Sequence, residues 1–180
     1  MVRHARRQRA YRQGDLDGLC GVYAAVNALR HVLQLPDEQC HKVFEKLIKA
    51  LEQNSRCLHQ PLLRGIGFRQ LKQLVMVASR YRPKGQKLTF ATRPLRLKRQ
   101  QRTLPDLWTA LDEEVGPSCV AIVGIAGITN HWCVVSRVTP RTLHLLDSSG
   151  QTRIYRSRCT VRSSRTRYCL EAGEILLIKR

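Results

Sequence analysis

The chain has 180 residues, 43% of them hydrophobic, enough for one domain around one core. It carries 32 Lys and Arg against 13 Asp and Glu, a net charge of +19. Such a field attracts nucleic acid, acidic protein surfaces or anionic lipid without choosing among them. Composition excludes more than it selects: no run approaches a membrane span, and no apolar stretch follows the basic start to make a secretory signal.

In chain order, residues 1–12 read as a basic, flexible start and 13–180 as one domain. Residues 13–19 form a loop with glycine and aspartate. Gly21 to Leu33 places Val22, Ala25, Val26, Leu29, Val32 and Leu33 near a helical period. Pro36-Asp37-Glu38 opens a second helix, with acids in its first turn, running to about Leu51. Residues 54–67 read as a loop holding Pro61, Gly65 and Gly67. Phe68 to Tyr81 gives a third helix, which Pro83-Lys84-Gly85 breaks.

Leu88 to Ala91 is a short strand candidate, and Arg93 to Arg102 a basic loop. Leu104 to Val115 predicts a helix ending at Gly116-Pro117. Strands follow. Cys119 to Ile125 is a continuous apolar run, as in a strand covered on both faces. His131 to Val138 and Arg141 to Leu146 flank a turn at Thr139-Pro140. Thr152 to Tyr155 and Glu174 to Lys179 supply two more strands, around an exposed basic stretch at Arg156 to Arg167. A helical first half and a sheet-forming second half predict an α+β domain of two lobes with a cleft between them.

Three residue types in three local settings carry chemistry. Cys20 begins the first helix inside Asp17-Gly18-Leu19-Cys20-Gly21. His131 opens a strand in Asn130-His131-Trp132-Cys133. Asp147 ends one, in Leu146-Asp147-Ser148. Unpaired backbone N–H groups at a helix start favour an anion there. A histidine can take the thiol proton and return it to a leaving amine, and a carboxylate can hold the imidazole in register. One strand out and one back across Thr139-Pro140 makes His131 and Asp147 neighbours.

Each residue also has an ordinary reading. A cysteine in an apolar helix is usually a small core residue, and the other six (40, 57, 119, 133, 159 and 169) are read that way. With no Cys-x-x-Cys pair, they suggest neither a zinc ribbon nor a thioredoxin-type site. Reduced, buried thiols point to a cytoplasmic protein. His4, His31, His41, His59 and His144 read as structural or exposed. Asp147 before Ser-Ser-Gly would also start a turn.

Taken together, the pattern of Gln13, Cys20-Gly21, His131-Trp132-Cys-Val-Val and Leu146-Asp147-Ser148 resembles the papain-like cysteine peptidases. It looks most like their compact C39-like bacterial branch, and Asp17-Gly-Leu-Cys20 is similar to the Asp-Gly-x-Cys string of ovarian-tumour-type deubiquitinases. The resemblance implies a papain-like fold, with an N-terminal helical lobe whose catalytic helix packs on a C-terminal antiparallel sheet. It implies Cys20 as nucleophile, His131 as base and acid, Asp147 as the orienting group, and Gln13 with the Cys20 backbone N–H as the oxyanion hole. Gln13 stands one residue farther from the cysteine than the family spacing, which calls for a bulged loop. No cofactor and no metal are implied.

The activity so implied is hydrolysis of peptide or isopeptide bonds through a thioester. Candidate partners are a protein or peptide substrate, a ubiquitin-like modifier or an acidic protein. Two alternatives stay open. The same triad would serve an acyltransferase or transglutaminase-like enzyme, in which an amine resolves the thioester. The runs Arg93 to Arg102 and Arg153 to Arg167 would suit a basic nucleic-acid-binding module with an incidental triad, although aromatic residues, 6% of the chain, offer few stacking platforms.

Overall fold

The computed structural model describes residues 9–14, 17–54, 58–82, 88–98, 100 and 102–180. The expected basic start up to residue 8, the loop residues Asp15 and Leu16, Cys57 and the Pro83-Lys84-Gly85 break lie outside the described residues. The domain is α+β, with five α-helices and seven strands among the described residues.

Helix α1 (Cys20–Leu33) is buried almost all round, from Cys20 through Val32. A helix apolar on every side belongs between layers, and α1 lies between the sheet and helices α2 (Asp37–Asn54) and α4 (Phe68–Ser79). α2 buries Cys40, Val43, Leu47, Ala50 and Leu51, a stripe at helical spacing. α4 does the same with Leu71, Leu74, Val75 and Ala78. The segment read as a loop from 54 to 67 contains a further helix, α3 (His59–Arg64), which buries Pro61 and ends at Gly65, in the left-handed region at φ 76°. Six residues carry too few repeats to show a period.

Seven strands form one sheet: β1 (Ala91–Pro94), β2 (Cys119–Gly127), β3 (His131–Thr139), β4 (Thr142–Leu146), β5 (Arg153–Tyr155), β6 (Cys159–Thr160) and β7 (Tyr168–Lys179). The order is β1-β7-β2-β3-β4-β5, antiparallel throughout, with β6 pairing parallel to β7. The strand expected at Leu88 to Ala91 begins only at Ala91, and its tail takes up the start of the expected basic loop. The stretch from Arg156 to Arg167 is not all exposed, since Cys159 is buried in β6. β7 starts six residues before the expected Glu174.

The continuous apolar run of β2 has a simple cause. Val120 and Ile122 face the core shared with α1, α2 and α4, whereas Ala121 and Val123 face a second core under α5 (Leu104–Glu114). The first-half helices and one sheet face make a single cluster, and α5 crosses to the other face, where Leu107, Trp108 and Leu111 cover β2 and β3. A sheet apolar on both faces needs cover on both. No helix among the described residues is long and apolar enough to cross a membrane.

Candidate active site

The β3–β4 hairpin sets two of the three expected residues. Thr139 pairs with Thr142 across a tight turn, and Val134 pairs with Leu146 after a bulge at Ser136. Extended by one rung, that register puts Asp147 opposite Cys133, two positions from His131 and on the same side of the strand. His131 Nε2 lies 2.5 Å from Asp147 Oδ1. The far oxygen of Asp147 accepts from the backbone N–H groups of Ser149 (3.1 Å) and Gln151 (3.3 Å) and from the Ser149 hydroxyl. Only 1% of the Asp147 side chain is exposed. Burial alone would raise its pKa, but the hydrogen bonds to His131 and Ser149 outweigh it, and the carboxyl is held below its ordinary value.

With Nε2 committed to Asp147, the other imidazole nitrogen, Nδ1, is left for Cys20. Burial would lower the His131 pKa. Hydrogen bonds to Asp147 and Cys20, with their charges, overcome it and bring the imidazole up to about 9. Cys20 and His131 line the same cleft, of about 370 Å³. The three expected catalytic residues are thus brought together.

Cys20 is placed by the loop ahead of α1. The Asp17 carboxylate accepts from the backbone N–H groups of Gly14 and Leu19, each at 2.9 Å, and folds the loop around itself. Leu19, at the helix N-cap, has no side chain that could consume the first N–H groups of α1. Gly18 donates its N–H to the Leu62 carbonyl at 2.5 Å, and a Cβ there would stand 2.6 Å from the Gly65 nitrogen, so only glycine lets the backbones meet. Gly21 is as constrained, because a Cβ would lie 2.6 Å from Ile66 Cγ1 and 3.2 Å from Trp132.

Gln13 joins two loops. Its amide Nε2 donates to the Asp17 carbonyl, and its Oε1 accepts from the Ser148 hydroxyl at 3.3 Å. Its backbone N–H donates to Ser148 O at 3.1 Å. The side chain fastens the Cys20 loop to the Asp147 turn, and it is not among the residues lining the cleft. Just upstream, the buried Asn27 of α1 exchanges two hydrogen bonds with the backbone of Tyr11, at 2.8 and 3.1 Å.

The rest of the cleft is built from residues with no sequence signal of their own. Gly65, Ile66 and Gly67, between α3 and α4, form one wall. Trp132 braces it, donating its indole N–H to the Ile66 carbonyl at 2.7 Å and stacking on Phe68 at 6.1 Å. Opposite stand Gly124 to Ala126 of β2 with Glu171 and Glu174 of β7. Among the described residues, no group of three or more His, Cys, Asp and Glu could hold a metal ion. No protein-family model, curated protein or solved structure gives a significant match to the chain.

Proposed function

We propose that this chain is a papain-like thiol hydrolase that cuts peptide or isopeptide bonds. The observation that carries the reading is one continuous arrangement: Cys20 at the head of a buried helix, in one cleft with an imidazole whose Nε2 is held by the buried Asp147. In this mechanism the Cys20 proton passes to His131 Nδ1. The sulfur attacks the substrate carbonyl carbon, and the negative oxygen that forms is met by the Cys20 backbone N–H. The tetrahedral centre collapses, the carbon–nitrogen bond breaks, and His131 gives the proton to the leaving amine. Water, losing a proton to His131, then adds to the thioester carbonyl; the carbon–sulfur bond breaks, the acid leaves, and the proton on His131 returns to the Cys20 sulfur. Gln13 Nε2 gives one N–H to the Asp17 carbonyl, and its second N–H would be the further oxyanion donor.

Six described cysteines are free and buried, which fits a reducing compartment such as the cytoplasm. Burial holds the thiols of Cys40, Cys119, Cys133, Cys159 and Cys169 above their ordinary pKa, Cys159 at about 12. They are therefore inert at neutral pH. Iodoacetamide at pH 7 should alkylate Cys20 at least about tenfold faster than these five, because among the six Cys20 alone shares a cleft with an imidazole. Cys20→Ala should keep the fold and lose both the labelling and any hydrolysis. Peptide mapping by mass spectrometry reads the rates, and equal labelling of all six thiols would refute the reading.

A further inference from the structure

The β2–β7 ladder breaks beside the cleft. Val123 pairs with Ile175 and Ile125 with Leu170, so Gly124 alone stands opposite the four residues from Glu171 to Glu174. Those four are pushed out of the ladder at the cleft rim. Gly124 makes the room: a Cβ there would stand 3.1 Å from Glu174 Oε2. Both Glu171 and Glu174 line the cleft that holds Cys20 and His131.

Among the described residues, nothing compensates their charge. The chain has 32 Lys and Arg, yet the ion pairs among the described residues lie elsewhere: Arg30–Asp37, Lys42–Glu38, Arg93–Glu114 and His131–Asp147. Among the described residues, Glu171 has only the weak donor of the Cys169 thiol, at 3.9 Å. Burial, and then Glu171, raise the pKa of Glu174. The cations on the cleft wall are Arg64, beyond ion-pair distance of either carboxylate, and protonated His131. Two partly buried like charges repel until a cation comes between them. We propose that Glu171 and Glu174 form an acidic subsite that selects substrates carrying an Arg or Lys side chain next to the bond cut at Cys20.

This inference rests on the hydrolase reading, and its test separates the two. The full chain is incubated with a random-sequence peptide library, and the cuts are mapped by mass spectrometry against a Cys20→Ala control. Cys20-dependent cuts should be enriched about tenfold or more for Arg or Lys within two residues of the cut. The enrichment should fall in Glu171→Gln and in Glu174→Gln and vanish in the double variant. The Tm should stay as in the parent, since the exchange is isosteric, and Cys20 should still be alkylated faster than the buried thiols. Cuts without basic enrichment, or enrichment that survives the double variant, overturn the subsite and leave the hydrolase standing. Absence of any Cys20-dependent cut also overturns the subsite; Cys20 alkylation no faster than that of the buried thiols would then remove the hydrolase reading too.

Discussion

The pH behaviour of the site follows from two side chains moved in opposite directions. The His131 pKa is raised to about 9, so what its charged form contributes to stability is complete below the ordinary histidine value, about 6.5, and is lost as pH rises through about 9. Asp147 is held below its ordinary value, so its contribution is present above about 4 and is lost as pH falls through the depressed value. The pair is intact between those limits. We expect kcat/KM to fall on the alkaline side with a midpoint near pH 9. Asp147→Asn removes the partner that raises His131. Its alkaline limb should move to lower pH, with kcat down by about a hundredfold to ten-thousandfold. A pH–rate profile of both proteins checks this, and an unmoved limb would mean that Asp147 does not control the imidazole. These two residues were legible because each stands in a marked setting, a strand start or a strand end. The tie between Gln13 and Ser148 was not, since 135 positions separate them.

Helices and strands were legible where a pattern repeats. α1, α2, α4, α5 and β2 to β4 lie within a few residues of where periodicity puts them. α3 and the early start of β7 were hidden, the first by its shortness, the second because Glu171 to Glu174 interrupt the alternation. The contact between α1 and the α3–α4 wall gives the prediction at this scale. Gly21→Ala drives a methyl group into Ile66, and overpacking of this kind costs about 1–3 kcal/mol. Ile66→Ala also destabilises alone, but the double variant should lose less than the two single losses added together. Urea unfolding of the four proteins measures the coupling. Additive losses would show that α1 does not touch that wall. Trp132→Phe should loosen the same wall by about 1 kcal/mol, through loss of its hydrogen bond to Ile66.

For the whole molecule, one sheet carries two cores, and Ile122 sits fully buried at the heart of the first. Ile122→Ala should cost about 2–5 kcal/mol and displace α1, and with it Cys20, from the sheet; a urea midpoint and a Cys20 alkylation rate that both stay at the parent values would contradict this. The charge of +19 also acts at this scale. On the hydrolase reading proposed above, it would draw in an acidic protein from a distance, while the cleft presents two carboxylates of opposite sign. Raising salt should cut kcat/KM for an acidic protein substrate by about tenfold or more and leave kcat unchanged. A flat salt profile would detach the charge from catalysis. What the sequence determined by itself was local: where helices and strands begin, which strand is buried on both faces, and the settings of Cys20, His131 and Asp147 at a helix start, a strand start and a strand end. Neighbours along the chain record those things, because propensity and periodicity act over a few residues. Only the tertiary structure decided that α5 covers the far face, that Gly65 to Gly67 wall the cleft, and that Glu171 and Glu174 reach it. Each depends on strand register and on backbone contacts between segments far apart in the chain, and neither leaves a mark on the residues alongside.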